Sequence, residues 1–170
     1  TGRPAFEANF TNAPYRAISL GFSGDRTEHV IWRIEHGELD GYQAKAVVLM
    51  IGTNNTGHLP FDQEPPSDTV LGIRRIISLI REKQPQAKII LHPIFPRGAD
   101  RGDALRLRND VVNRAVRAFA DGKDILWCDL ADEFLDQDGN LPKDIFPDFL
   151  HPNAKGYEKW AAAVKPYLDW

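Results

Sequence analysis

The apolar run at residues 46–51 is the feature that most restricts how this chain can fold. No polar residue interrupts it, and such a stretch is typical of a strand that is covered on both faces. Strands of that kind belong mostly to parallel sheets flanked by helices. The run ends abruptly in Gly52-Thr53-Asn54-Asn55. Because ligands of open parallel sheets bind beyond the carboxyl ends of the strands, these residues mark either a functional edge or an ordinary turn.

The rest of the chain alternates between strand and helix signals. Apolar segments predict further strands at residues 15–22, 88–95 and 124–130. Apolar residues at helical spacing predict helices that end near Gly37, Lys83, Gly122 and Tyr167. This rhythm implies βαβ units with right-handed crossovers, so we predict the α/β class with a three-layer α/β/α sandwich. We find no repeat or linker in the 170 residues, which favours a single domain over residues 1–170.

Local patterns also predict how the helices begin and which faces they bury. Asp25 followed by Glu28 is close to a capping box for the first helix. Ser67 is predicted to cap the second long helix, after a loop at residues 56–66. The third helix is predicted to bury one face, formed by Leu107, Val111, Ala115 and Phe119.

His151 is the first candidate for chemistry. It lies three residues after Asp148 and directly before Pro152, a residue that suits the first turn of the last helix. A carboxylate at this spacing can accept the imidazole Nδ1–H, fix the tautomer and leave Nε2 facing a substrate. The alternative is a helix-capping aspartate beside an unrelated surface histidine.

Asn54 and Gly24 are two further candidates. A side-chain amide such as that of Asn54 can donate a hydrogen bond to a developing oxyanion. A glycine directly after a strand, as Gly24 is predicted to be, lets its backbone N–H approach a substrate closely. Taken singly, each residue is also explained as part of a turn.

Three short blocks together resemble one enzyme family. In order and spacing they match three of the four blocks of the SGNH (GDSL) esterases, with the closest similarity to the catalytic subunits of type I platelet-activating-factor acetylhydrolase and their bacterial relatives. The blocks are residues 21–25 (G-F-S-G-D), residues 52–55 (G-T-N-N) and Asp148-x-x-His151. Further matches lie at residues 26–33, 37–39, 84–90 and 96–98, so the resemblance extends from about residue 15 to the C-terminus.

The resemblance implies the SGNH hydrolase fold, with a flavodoxin-like parallel sheet, and a role for each block. The Gly24 N–H and the Asn54 side chain would be oxyanion-hole donors. His151 would act as general base and then as general acid, and Asp148 would orient it. The family's nucleophile is the serine of a Gly-Asp-Ser block at the end of the first strand, and the N–H of that serine is the third oxyanion donor.

The chain departs from the family because it contains no Gly-Asp-Ser block. Ser23 is one rival nucleophile, since a strand-Ser-Gly-helix order resembles a nucleophile elbow. It adjoins Gly24, however, which the family uses for the oxyanion. Cys128 at a predicted strand end is another rival, although a buried structural thiol is favoured there.

The first strand of the family's sheet is also absent. In the family's strand order, 2-1-3-4-5, that strand lies between the strands predicted at residues 15–22 and 45–51. Without it, backbone groups on both sides of a gap in the sheet would be unpaired. We therefore expect the natural polypeptide to carry an N-terminal segment with the first strand and the nucleophile, so that residues 1–170 form an SGNH-hydrolase domain lacking both.

The predicted activity is that of a serine ester hydrolase that removes a small acyl group, acetyl by resemblance, from a small-molecule or glycan ester. One alternative is a catalytically inactive module that binds an acylated glycan, a lipid or a protein partner. A flavodoxin-like module for a phosphate-bearing cofactor is disfavoured, because no glycine-rich phosphate loop follows any predicted strand.

Composition narrows the partners and cofactors. The net charge of −3, with mixed signs, does not indicate a basic surface for nucleic acid. No apolar run reaches membrane-spanning length. No histidine pair has metal-ligand spacing, and a lone Cys128 excludes an internal disulfide and a cysteine-based zinc site, so we predict no metal and no cofactor. The resemblance alone points to pairing into a homodimer, and the sequence does not indicate a compartment.

Overall fold

The structure, a computed structural model, describes residues 2–12, 14–60 and 62–169. Helices and strands alternate along the chain. The elements in order are α1 (Arg3–Phe6), a π-helix (Glu7–Thr11), α2 (Thr27–Glu35), β1 (Ala46–Leu49), α3 (Thr53–His58), α4 (Pro66–Lys83), β2 (Lys88–Leu91), α5 (Ala104–Val116), a 3-10 turn (Arg117–Phe119), β3 (Ile125–Trp127), α6 (Ala131–Phe134), α7 (Ala154–Val164) and a 3-10 turn (Lys165–Tyr167).

The chain divides into two compact units. The sheet unit comprises Phe22–Phe95 and Leu107–Trp127, and the terminal unit comprises Thr1–Gly21, Pro96–Arg106 and Cys128–Trp170. A single domain over residues 1–170 therefore stays a prediction. Within the described part of the chain, no helix is long and apolar enough to cross a membrane.

The sheet unit contains a parallel sheet in the order β1-β2-β3. Val48 pairs with Ile90, and Ile90 pairs in turn with Leu126. Ile89, Ile90 and Leu91 of the central strand β2 are buried, so this strand is covered on both faces. The alternation of parallel strands and helices confirms the predicted α/β class.

Helices α2 and α4 pack against each other in the sheet unit. The apolar face of α4 is buried as its helical spacing predicts, with Ile73, Ile77 and Ile80 inside. Gly72 of α4 approaches α2 so closely that a Cβ at this position would collide with the Thr27 side chain. The start of α2, which adjoins the candidate site, is therefore fixed by tight helix packing.

The terminal unit has its own aromatic core. The Phe10 and Trp160 rings meet edge to face with centroids 5.4 Å apart, and those of Phe134 and Phe146 do so at 5.1 Å. Helix α7 contributes buried Ala161 and Val164 from the face that its periodicity predicts.

The predicted strand at residues 15–22 is wrong, because this segment pairs with none of the described strands. Ile18 and Phe22 remain 62% and 61% exposed. A strand needs a neighbour to satisfy its backbone groups, and the described strands supply none beside this segment. For the same reason β1 pairs only with β2 among the described residues, and Val48 and Met50 are exposed rather than covered.

The predicted caps are also wrong. Asp25 and Glu28 do not form the expected capping box, because Asp25 pairs with Arg33 and the Arg26 N–H donates to His29 Nδ1 at 3.2 Å. Ser67 does not cap α4, which begins one residue earlier at Pro66. Part of the loop predicted at residues 56–66 belongs to α3.

The predicted inward face of α5 is wrong as well. Leu107 and Val111 are exposed, whereas Arg106, Asn109 and Val112 are buried. Hydrogen bonds from Arg106 and to Asn109 orient the helix, so polar residues occupy its inner face. A hydrophobic pattern alone does not reveal such a face.

Candidate active site

Asn54 lies in the first turn of α3, directly after β1. The turn between these elements requires glycine at position 52 on two counts. Gly52 has φ 122°, and a Cβ there would lie only 2.8 Å from Ile94 Cδ1 and 2.9 Å from Thr69 Cγ2. This glycine lets the chain turn sharply at the carboxyl edge of the sheet, where the sequence predicts Asn54 to act.

The turn that carries Gly24 is bonded to Asn54. The Asn54 Nδ2 donates to the backbone carbonyl of Asp25 at 2.8 Å. Gly24 itself is exposed and has φ 82°, a conformation that glycine adopts readily. The structure thus places Asn54 against the turn that carries Gly24, within the sheet unit. An amide nitrogen carries two protons, so the second Asn54 proton can serve a ligand.

Arg33 of α2 holds the same turn from its other side. Its Nη1 and Nη2 donate to the Asp25 carboxylate at 2.9 and 2.6 Å, and its Nε donates to Glu38 at 2.7 Å. Such a two-pronged contact fixes the orientation of a carboxylate as well as its position. This role of Arg33 was not predictable from the sequence, because its partner is eight residues away and no helical spacing links them.

Asn55 has a different task from its neighbour Asn54. It is 2% exposed, its Oδ1 accepts the Thr27 N–H at 2.9 Å, and its Nδ2 donates to Glu64 at 2.8 Å. It therefore satisfies one of the free N–H groups at the start of α2. Glu64 also forms an ion pair with Arg26, so a buried polar network fixes α3 to α2. No pattern in the sequence predicted this network.

A polar depression of about 310 Å³ lies over this network. Its lining residues are Arg26, Thr27, Glu28, Asn55, Leu59, Gln63, Glu64 and Asp68. Neither Gly24 nor Asn54 lines it, so it adjoins the predicted oxyanion donors without containing them. Among the described residues, no group of three or more His, Cys, Asp or Glu side chains could hold a metal ion.

Asp148 and His151 meet in the terminal unit, as the sequence predicts. The His151 Nδ1 lies 2.7 Å from Asp148 Oδ2, and the His151 backbone N–H donates to Asp148 Oδ1 at 2.8 Å. The His151 side chain is 71% exposed, so its Nε2 edge is open to a substrate. The His151 backbone N–H, followed by its imidazole, lowers the pKa of Asp148 to about 2. Asp148 is therefore ionised at neutral pH and suited to orient a histidine.

The two rival nucleophiles differ in accessibility. Ser23 lies exposed in the turn before Gly24. Cys128 is buried, and this burial raises the pKa of its thiol to about 11. A thiol that is neutral at physiological pH is a poor nucleophile, so the geometry favours the structural interpretation of Cys128.

Solved structures with the same fold cover nearly the whole chain. A GDSL-like lipase from Bacteroides thetaiotaomicron matches 99% of this chain and 80% of its own, with a TM-score of 0.77 and 20% identity. An acetylxylan esterase from Geobacillus stearothermophilus matches 99% and 79%, with a TM-score of 0.74 and 22% identity. These similarities confirm the predicted SGNH hydrolase fold.

Sequence comparison gives the family. Platelet-activating factor acetylhydrolase IB subunit alpha1 from Homo sapiens is 36% identical over 157 residues, which is 92% of this chain. The chain spans 65% of the length of that relative. The profile of the GDSL-like lipase/acylhydrolase family matches residues 3–159. The chain therefore belongs to the GDSL-like lipase/acylhydrolase family.

Proposed function

We propose that this chain carries the general base and the oxyanion donors of a serine ester hydrolase that removes a small acyl group. The observation that carries the proposal is the Asp148–His151 pair, in which one ionised carboxylate binds both the backbone and the ring of an exposed histidine. Such a pair fixes the imidazole with its proton on Nδ1 and leaves Nε2 as the base.

In the proposed acylation step, a serine outside the 170 residues attacks the ester carbonyl, and His151 Nε2 takes the hydroxyl proton. The carbonyl oxygen becomes an anion that accepts hydrogen bonds from the Gly24 N–H and the Asn54 side chain. The tetrahedral intermediate then expels the alcohol, which receives the proton from His151 and leaves an acylated serine.

Water repeats the sequence in the deacylation step. His151 takes a proton from water, the resulting hydroxyl attacks the acyl carbonyl, and the serine oxygen leaves with the proton that His151 returns. The products are the free acid and the regenerated serine. Asp148 stays ionised throughout, since its role is to orient and stabilise the imidazolium rather than to take its proton.

We infer that the acyl group is acetyl from the names of similar proteins. The human relative is named an acetylhydrolase, and the Geobacillus structure is named an acetylxylan esterase. The alcohol part of the substrate is a small molecule or a glycan in this proposal.

Replacing His151 tests the proposal. In the natural polypeptide, His151→Ala should remove nearly all hydrolysis of p-nitrophenyl acetate, by a factor on the order of 10⁴ or more. His36→Ala is the matched control, because His36 is an exposed histidine that stacks on Trp32. The control should retain the wild-type rate. Equal rates for the His151 variant and the wild type would refute His151 as the base.

A further inference from the structure

Arg106 is a buried arginine of the terminal unit that the proposed reaction does not use. It is 4% exposed, and its guanidinium donates through three nitrogens to three backbone carbonyls. The Nε donates to Arg97 O at 2.7 Å, Nη2 to Gly98 O at 2.8 Å and Nη1 to Gly139 O at 2.6 Å. The planar fork of arginine suits such a set of acceptors, and these bonds tie the loop after β2 to the turn at residue 139.

Two features fix the start of α5, the helix that carries Arg106, and the loop that Arg106 holds. The Asp103 Oδ1 accepts the N–H groups of Leu105 and Arg106, both at 3.0 Å, and so caps the start of α5. Gly98 has φ 74°, and a Cβ there would collide with the Asp103 side chain. The loop is therefore packed directly against the cap of the helix that carries Arg106.

The loop that Arg106 holds is bonded to the segment of the catalytic pair. The Gly98 N–H donates to the carbonyl of Phe149 at 2.9 Å. Phe149 lies in sequence between Asp148 and His151. A continuous path of hydrogen bonds thus runs from the Arg106 guanidinium through Gly98 to the backbone between the two residues of the pair.

Phe149 has an unusual backbone conformation, which needs support from its surroundings. Its φ is 56°, in the left-handed region that bulky side chains rarely enter. The Phe149 N–H donates to Phe146 O at 3.1 Å, and its carbonyl accepts from Gly98. Such strain persists where neighbouring contacts over-determine it. This conformation turns the chain so that the backbone N–H and the ring of His151 both reach Asp148.

We propose that Arg106 is a positioning residue for His151: through Gly98 and Phe149 it fixes the backbone that sets the Asp148–His151 hydrogen bonds. This inference rests on the proposed function, in which His151 is the base. A merely structural arginine would affect stability alone. A positioning arginine would also change the turnover of folded protein and the protonation pattern of the His151 ring.

The test compares Arg106→Met and Arg106→Lys with Arg101→Met in the natural polypeptide. Arg101 is an exposed arginine of the loop that Arg106 holds. Its replacement therefore makes the same chemical change outside the hydrogen-bond network. Hydrolysis of p-nitrophenyl acetate gives kcat and KM for folded protein. Nitrogen NMR of labelled histidine reports which ring nitrogen of His151 carries the proton.

We expect Arg106→Met to lower kcat about 10²-fold with little change in KM, because misplacing a catalytic group by about 1 Å costs that much. Arg106→Lys should show a smaller loss, since one ammonium cannot serve three separated carbonyls. In both variants the His151 ring should lose its fixed Nδ1–H tautomer. Arg101→Met should match the wild type in both measurements.

Wild-type kcat and an unchanged His151 spectrum in folded Arg106→Met would overturn the proposal. If the methionine variant does not fold, the same result in Arg106→Lys would overturn it. The NMR readout does not depend on turnover, so it also separates two failures. A His151→Ala variant that stays active refutes the proposed function, whereas an unperturbed His151 ring refutes the role of Arg106.

Discussion

Alanine replacement of the adjacent asparagines Asn54 and Asn55 should affect different properties: mainly turnover for Asn54 and mainly stability for Asn55. Asn55→Ala removes a buried acceptor and donor, whereas Asn54→Ala removes one bond of a half-buried side chain to the Asp25 carbonyl. We assign a structural role to Asn55 and, in the proposed function, a catalytic role to Asn54. The two variants are therefore each other's control, because they differ by one position in the same helical turn.

The structure sets the size of the effect. Asn55→Ala leaves the buried Thr27 N–H without its acceptor, which costs about 1–3 kcal/mol. It also removes a hydrogen bond to the Glu64 side chain that pairs with Arg26, and hydrogen bonds to such ion-paired groups contribute about 1.5–3 kcal/mol. Since Glu64 keeps its ion pair with Arg26, we expect Asn55→Ala to lower the free energy of unfolding by about 3 kcal/mol, near the low end of the summed range. Asn54→Ala should cost about 1 kcal/mol, the typical net value of one hydrogen bond.

Urea unfolding and ester hydrolysis of both variants provide the assay. The free energy of unfolding should fall by about 2 kcal/mol more for Asn55→Ala than for Asn54→Ala. Turnover by the folded protein should fall about 10²- to 10³-fold for Asn54→Ala. Equal losses of stability would refute the assignment of Asn55 as the cap of α2. An unaltered rate in Asn54→Ala would remove Asn54 from the oxyanion hole.

Two further predictions follow from the pKa values. The pKa of Asp148 is lowered to about 2, well below its ordinary range. Its contribution to stability is therefore present above about pH 4 and is lost as the pH falls towards 2. More than half of the Asp148 carboxylate is exposed, so screening reduces this contribution to about 1 kcal/mol. Acid unfolding of Asp148→Asn should lack this part of the pH dependence, and identical acid unfolding curves would contradict it. Cys128, whose pKa is about 11, should react with iodoacetamide at pH 8 only after unfolding, so rapid alkylation of folded protein would show that the thiol is accessible.

The strands of the sheet unit were predictable because, apart from Lys88 at the start of β2, their side chains are apolar. The same reasoning failed at residues 15–22, where Ile18 and Phe22 are exposed. A hydrophobic pattern shows which side chains favour burial, but a strand forms only where a neighbour supplies backbone hydrogen bonds. That neighbour is specified by residues outside the segment, so its local sequence cannot decide the outcome.

The contact between Asp148 and His151 was predictable because it is local in sequence, across three residues. The residues that support the candidate site were not. Arg33 and Asp25, and Asn55 and Glu64, are eight to nine residues apart in irregular or mixed structure, where no periodicity links them. Arg106 was missed because its acceptors are backbone carbonyls, which leave no trace in the side-chain sequence.

The starts of α2 and α4 were also hard to predict from the residue preferences of helix caps. Asp25 satisfies the residue preference for a cap, yet the Arg33 guanidinium takes its carboxylate. A charge-assisted pair with two bonds competes well with a single bond to a backbone N–H. The cap preference is thus a local tendency that a tertiary contact overrides.

In the proposed function, His151 is the base of a serine esterase whose nucleophile lies outside residues 1–170. The most direct measurement is fluorophosphonate labelling of the natural polypeptide, followed by mass spectrometry of the labelled peptide. We expect a single labelled serine outside residues 1–170, with labelling strongly slowed in His151→Ala. Labelling of Ser23, or no labelling at all, would contradict it, and the latter result would favour the catalytically inactive binding module.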